Sequence, residues 1–343
     1  MATIEPIIYK LHFTTPLHIG DVRDDYGISL KTIASDTMYA ALISCLAKLG
    51  REIPDNGDLG CTISSLFPYY QKEKGSEAVL FFPKPLKQIM PDSKKAVEER
   101  KKVKKVAWLD AQFFFRMLGG EQLFVDDTID KLNGEFLTDQ EINQKFIVSQ
   151  VLPRVTISRN GQEDAVPFYM ERIIFKDYSG LYFIADGDTS LLDQAMQLLQ
   201  HEGIGTDRNV GNGYFEYEKS TMKIDLLDSS DYAMALSSFI PESKEQLQTM
   251  LGSDDVAYDF QRRGGWITTP PHNTLRKNVI HAFTAASVFK MQCNGMVTTG
   301  KVGVDLKPEI SWDDKLDHPV WRCGRALFVP INVVAKNYLM RKE

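Results

Sequence analysis

The stretch from Ser190 to Tyr217 constrains this chain most: an amphipathic helix runs into a glycine-rich loop, which gives way at once to an aromatic strand. Leu191, Ala195 and Leu198, with Leu192, Met196 and Leu199, keep helical spacing, and Ser190 three positions before Asp193 reads as a capping box. Gly203 is then a natural residue just past the helix end. Gly203, Gly205, Gly211 and Gly213 place four glycines in eleven positions. Glycine tolerates positive φ, so successive N–H groups can turn outward as a nest for an anion, and Arg208 adds a forked cation. Neither a P-loop nor a dinucleotide fingerprint fits, because both place their glycines after a strand and before a helix. The residues alone leave the loop divided between a backbone-phosphate site and a plain link to an edge strand.

The flanking pattern suggests what carries this loop. Ile7, Tyr9, Leu11 and Phe13 alternate with Ile8, Lys10, His12 and Thr14, which predicts a first strand. Ser35 reads as an N-cap, and Met38, Leu42, Cys45, Leu46 and Leu49 form a helical stripe that stops at Gly50. A second strand–helix–strand follows in Gly180–Ala185, the Ser190 helix and Tyr214–Tyr217. Together these predict an α+β chain whose first unit, residues 1–219, is a ferredoxin-like β-α-β-β-α-β domain with a large insertion at about 51–179. Residues 220–343 read as a second, more β-rich domain, with strands near Tyr232–Ile240, Trp266, Phe283–Met291 and Ala326–Val333 and a helix over Ser243–Leu251.

With 40 Lys and Arg against 46 Asp and Glu, the formal charge is −6, so any nucleic-acid surface must be a local patch on an acidic body. The four cysteines form no Cys-x-x-Cys pair and the six histidines no zinc spacing, which predicts a reduced, cytoplasmic protein without metal or other cofactor. No apolar run reaches the roughly 18 residues of a membrane span.

Several segments are candidates for RNA contact. Lys94 to Lys105 is a dense basic run, although Glu98 and Lys102 also suit a solvated helix face. Asn160-Gly161 predicts the turn of a projecting hairpin whose arms carry Arg154, Arg159 and, further on, Arg172. Arg262-Arg263-Gly264-Gly265-Trp266 and Leu275-Arg276-Lys277 suit single-stranded RNA or an acidic partner. Trp266 and Phe113-Phe114-Phe115 are assigned to the core. No Ser-His-Asp or Gly-x-Ser-x-Gly signature is present, and His18 is the one histidine placed to meet RNA as a phosphate contact or general base.

Thr15-Pro16-Leu17-His18-Ile19-Gly20, Ser35-Asp36-Thr37-Met38-Tyr39-Ala40-Ala41-Leu42 and the Gly203–Gly213 loop together resemble the RAMP proteins of CRISPR systems. Gly264-Gly265-Trp266-Ile267, Leu275-Arg276-Lys277, Phe283–Phe289 and His318-Pro319-Val320-Trp321-Arg322-Cys323-Gly324-Arg325-Ala326 narrow the resemblance to the Csm-type fourth subunit of type III-A effector complexes. It spans nearly the whole chain in order and is poor over 51–150.

The resemblance implies two RRM-like domains that cap the foot of a ribonucleoprotein filament without catalysis. They would bind the 5′ handle of the guide RNA (crRNA) and dock the large polymerase-like subunit beside a neighbouring backbone RAMP subunit. Carried over by position, Gly203, Gly205, Arg208, Asn209, Gly211 and Gly213, with Ser35, would hold handle phosphates, and the Asn160-Gly161 hairpin would separate handle from spacer. Thr206 and Asp207 depart from related loops, which carry adjacent glycines and more cations; Asp207 is therefore a candidate for a base or sugar hydroxyl. Two other readings stand beside this one: a metal-independent endoribonuclease processing precursor crRNA, and an interaction subunit that touches no RNA.

Overall fold

The computed structural model describes residues 2–20, 26–86, 104–121, 131–157, 164–309 and 316–333. Arg159, the Asn160-Gly161 turn and residues 94–103 of the basic run lie outside the described residues; Lys104 and Lys105 are exposed.

The strand Ile7–Phe13, preceded only by the short strand Ala2–Ile4, lies at the centre of an antiparallel set in the order Phe215–Thr221, Ile7–Phe13, Gly180–Gly187, Phe67–Tyr70. Cys61–Ile63 also pairs with Gly180–Gly187. Helix α1 (Ser35–Lys48) enters this set between its first and second strands, and a second helix, Ser190–Glu202, between its third and fourth. The intervening chain adds Val79–Pro83, Trp108–Asp110, Phe136–Leu137 and Leu132–Asn133 at the far edge, giving nine strands, with helix Ala111–Leu118 against them. Phe67–Tyr70 therefore falls inside the stretch expected to contain the insertion, yet belongs to the central strands.

Period-two alternation sorts the side chains into two cores. Tyr9, Leu11, Leu181, Phe183, Cys61 and Ile63 face the two helices and pack with Met38, Leu42, Leu192, Met196 and Leu199. Ile8, Tyr182, Ile184, Phe67 and Tyr69 point the other way, into a second cluster that also holds Met234, Leu236, Val288, Leu327 and Val329. The face of the sheet opposite the helices is thus closed by the second half of the chain.

That half contains a four-stranded sheet in the order Val288–Cys293, Ser230–Ala235, Ala326–Pro330, Val297–Thr299, and helix Lys244–Met250 capped by Ser243. The order differs from that of the first sheet, because Val288–Cys293, the sheet's next strand after the helix, pairs directly with Ser230–Ala235 before it. The stretch expected as one strand over 283–291 is two, Ile280–Phe283 and Val288–Cys293, divided where Ala286 takes a positive φ of 75°. Trp266 lies outside any strand and makes only an isolated bridge to Arg276.

Ser35 is not the cap of α1: the N-cap is Ala34, which has no capping side chain. Ser35 is the first helical residue, 4% exposed; its Oγ accepts from the Ser238 N–H at 2.8 Å and its own N–H donates to Ser65 Oγ at 3.1 Å. Its neighbour Asp36, 2% exposed, receives Ser238 Oγ at 3.0 Å and Arg322 Nη1 at 3.1 Å, with Arg263 Nε at 3.5 Å. Arg325 adds a fork onto Asp58, at 3.0 and 2.7 Å, and reaches the Cys61 carbonyl at 3.0 Å. The 321–325 segment therefore clasps the start of α1, which answers the expectation that this helix start holds RNA phosphates: it holds the chain's own arginines instead. The Ser190 capping box is absent too. Thr189 is the cap position, and Asp193 is drawn to the Tyr9 hydroxyl and Lys219 at 2.6 Å each.

Two outcomes follow from the clasp. Asp36→Ala leaves two half-buried guanidiniums without their buried carboxylate and lowers the unfolding free energy by about 3 kcal/mol, read by urea denaturation. Lys277 sits behind the same cluster, where burial first and then the Arg322 charge lower its pKa from 10.5 to about 8, against a smaller opposing pull from Asp36. Between those two values the unfolded chain holds more protons than the folded one, so this group's contribution to stability rises with pH. Lys277→Met is accordingly more stable than the wild type below pH 8, and the difference shrinks as denaturation is repeated toward pH 10.

Candidate nucleic-acid interface

Three segments meet at the end of the sheet where Ile7–Phe13 stops, and the backbone of Pro16, Leu17 and His18 joins them. On one side Leu17 and Ile173 exchange backbone hydrogen bonds of 2.8 Å, which attaches the base of the hairpin formed by Ile147–Thr156 and Val166–Phe175. On the other, Gly213 N–H donates to the Pro16 carbonyl at 2.8 Å and Thr206 N–H to the His18 carbonyl at 2.9 Å. Tyr214 N–H closes onto Thr15 Oγ1 at 2.9 Å.

The glycine loop hugs this seam. Gly205, at φ +97°, would place a Cβ 2.4 Å from the His18 carbonyl oxygen, and Gly213, at φ +76°, would place one 1.9 Å from that of Ile204. Asp207 takes the left-handed region at φ 59°, and Arg208–Val210 make one 3-10 turn. The backbone N–H groups of Gly205, Asp207, Arg208 and Asn209 find no acceptor among the described residues. A glycine-rich loop can leave such successive amides unpaired within the chain.

The charges gather beside it. Arg154, from the hairpin, donates through Nη1 to Asp207 Oδ2 at 2.7 Å, so the loop's one carboxylate is engaged within the chain. Arg172 stands close to this pair; burial first, then the Arg154 charge, lowers its pKa, while Asp207 opposes the shift. Its Nε is buried without a partner among the described residues. Arg208 is half-buried, and its side chain makes no hydrogen bond or ion pair among the described residues. Three guanidiniums thus stand against one carboxylate beside a row of open amides, an arrangement that suits an anion carried on a chain.

Other predicted residues fall elsewhere. His18 is 1% exposed and its Nδ1 lies 2.7 Å from the Glu171 carbonyl oxygen, so the ring is a buried strut and the residue serves the loop through its backbone. Arg263 and Lys277 belong to the clasp. Arg262 is exposed, and Arg276 lies over the Trp266 ring at 4.4 Å. Trp266 is 49% exposed, against the core assignment, whereas Phe113 and Phe114 are buried as expected. The sequence reading overlooked Asp36, Asp58, Arg322 and Arg325, whose pairing spans more than 260 positions and leaves no local signal.

A profile of the CRISPR Csm4 C-terminal domain matches residues 228–331. The CRISPR system Cms protein Csm4 of Streptococcus thermophilus is 25% identical over 338 residues, covering 95% of this chain and 99% of that protein. The chain is thus similar to Csm4 proteins of CRISPR systems, over its second half by the domain match and over nearly its whole length by the relative. Its relative in Thermococcus onnurineus (strain NA1) is 27% identical over 250 residues, 68% of this chain and 74% of that one. The family fold is also seen in a crystal structure of a Csm3-Csm4 subcomplex of the type III-A CRISPR-Cas interference complex, with TM-score 0.58, 18% identity and coverage of 96% of this chain and 100% of that one. A Csm1-Csm4 cassette in complex with cA4 gives TM-score 0.57, 21% identity and coverage of 97% and 100%. No helix among the described residues is long and apolar enough to cross a membrane.

The loop geometry separates its glycines. Gly211 meets open space, so Gly211→Ala costs only the strain of left-handed backbone, about 1 kcal/mol. Gly213→Ala collides with the Ile204 carbonyl as well and loses clearly more stability in paired thermal unfolding.

Proposed function

We propose that the chain is the subunit of a type III CRISPR ribonucleoprotein that holds the 5′ handle of the guide RNA, in the cytoplasm, and does not cut it. The observation that carries this reading is the convergence of Arg154, Arg172 and Arg208 with the open amides of Gly205 and 207–209 at one end of the sheet. An RNA backbone supplies the repeated anion that such a surface suits. RRM modules usually stack bases on the open face of the sheet. Here that face is filled, so the contact moves to the loop end.

The order of the first four strands and the placing of the two helices support a ferredoxin-like reading of residues 1–219, with 220–343 as a diverged second unit. The distal hairpin exposes Val151, Val155, Ile157, Val166 and Tyr169, which suits a wedge between handle and spacer. Solved relatives of this fold occur with Csm3 and with Csm1. By extension the partners are a neighbouring backbone RAMP subunit and the large polymerase-like subunit. Against an endoribonuclease, the one histidine near the site is buried and held by a carbonyl, out of reach of a ribose hydroxyl.

End-labelled guide RNA with an intact or scrambled handle, mixed with the full chain in chelator, tests this reading. The expected result is handle-dependent binding with RNA length unchanged; cutting would instead make the chain a processing enzyme. Arg208→Ala should lower the salt slope of binding by about one unit, because that guanidinium makes no hydrogen bond or ion pair among the described residues. Unchanged binding in that variant and in Arg172→Ala would point to an interaction subunit without RNA contact.

A further inference from the structure

We propose that the second half of the chain carries its own stacking platform for single-stranded RNA, built on Trp266 and Arg276 and continued by Phe260, Arg262 and His281. It rests on the RNA-binding reading above and adds a site remote in sequence from the glycine loop. Phe260–Arg263 and Ile280–Phe283 form a two-stranded ribbon in which Arg262 stands opposite His281. One face is committed inward: Ala282 is 2% exposed and Arg263 reaches Asp36. The other carries Phe260, 56% exposed, with Arg262 and His281 both exposed and the Phe260 and His281 rings edge-on at 5.9 Å.

Beyond the ribbon, Gly264 and Gly265 lead to Trp266, which bridges to Arg276 and lies beneath its guanidinium. The cation stiffens the indole, yet nearly half of the residue stays open to solvent. Exposed rings and cations therefore occur together twice in this segment: Phe260, Arg262 and His281 on the ribbon, and Trp266 with Arg276 three residues beyond its first strand. A protein-docking core is depleted of charge at its centre, whereas a single-stranded nucleic-acid surface combines aromatic rings with cations. In a chain of net charge −6, such a collection of cations around open rings matches a polyanion with flat bases.

The test uses the full chain and a fluorescein-labelled ten-nucleotide oligouridine, which lacks any handle sequence, with anisotropy read at fixed salt. Trp266→Ala should weaken binding about 5-fold or more, Trp266→Phe should keep most of it, and Arg262→Ala should lower the salt slope by about one unit. The same length of duplex RNA should bind no differently to Trp266→Ala and to the wild type, since paired bases offer no free face. Equal oligouridine affinity of the wild type and Trp266→Ala, measured also with Arg208→Ala in both, overturns the platform, as does failure of the wild type to bind oligouridine. If handle discrimination persists in Trp266→Ala while oligouridine binding falls, both readings stand. If Arg208→Ala abolishes handle discrimination and Trp266→Ala changes nothing, only the platform fails. If oligouridine binding follows Trp266 and the wild type ignores the handle, only the handle reading fails. Loss of partner assembly in Trp266→Ala with oligouridine binding unchanged would assign the face to a protein and overturn the proposal.

Discussion

Every part of the loop end of the sheet is referenced to the main chain of Pro16, Leu17 and His18. This short stretch is bonded on one side to the hairpin base through Ile173 and on the other to the glycine loop through Gly213 and Thr206. Backbone bonds of this kind fix distance more stiffly than pairs of long side chains. The Arg154–Asp207 pair then joins the two outer segments, so that loop, spine and hairpin form a closed circuit. The close approach of Gly205 to the His18 carbonyl brings the loop near enough for these bonds.

The second organising constraint is the filling of both faces of the first sheet. One face takes the helices and the other takes Met234, Leu236, Val288, Leu327 and Val329 from the second half. A sheet buried on both sides gains stability from each large side chain, roughly 1.5 to 3 kcal/mol apiece, but gives up its surface for base stacking. The polar work passes to the loops at its end and, in the second half, to a ribbon with one face left open.

Much of this was legible from residues alone. The alternation of Ile7–Phe13 and the 3.6-residue stripes of α1 and the Ser190–Glu202 helix are local signals, and those elements lie where the sequence placed them. The glycine loop was legible because positive φ leaves a compositional mark. What escaped was set by distant partners. Ser35 looked like a cap because the cap signal is local, while its bond to Ser238 is not. Asp193 looked like part of a capping box until Tyr9 and Lys219 came within reach. Trp266 looked like core because large rings usually are, and nothing in its neighbours announced that Arg276 would cover one side and solvent the other.

The clasp also bears on how the chain is made. Asp36 is bonded by Arg322, 286 positions later, and Asp58 by Arg325. A ribosome adds these arginines long after the segments they hold have emerged. Until then the Asp36 carboxylate lacks Arg322, and the far face of the sheet lacks Leu327 and Val329. A product cut short before Trp321 would therefore carry a partly uncovered apolar sheet face that solvent, a chaperone or another nascent copy must meet.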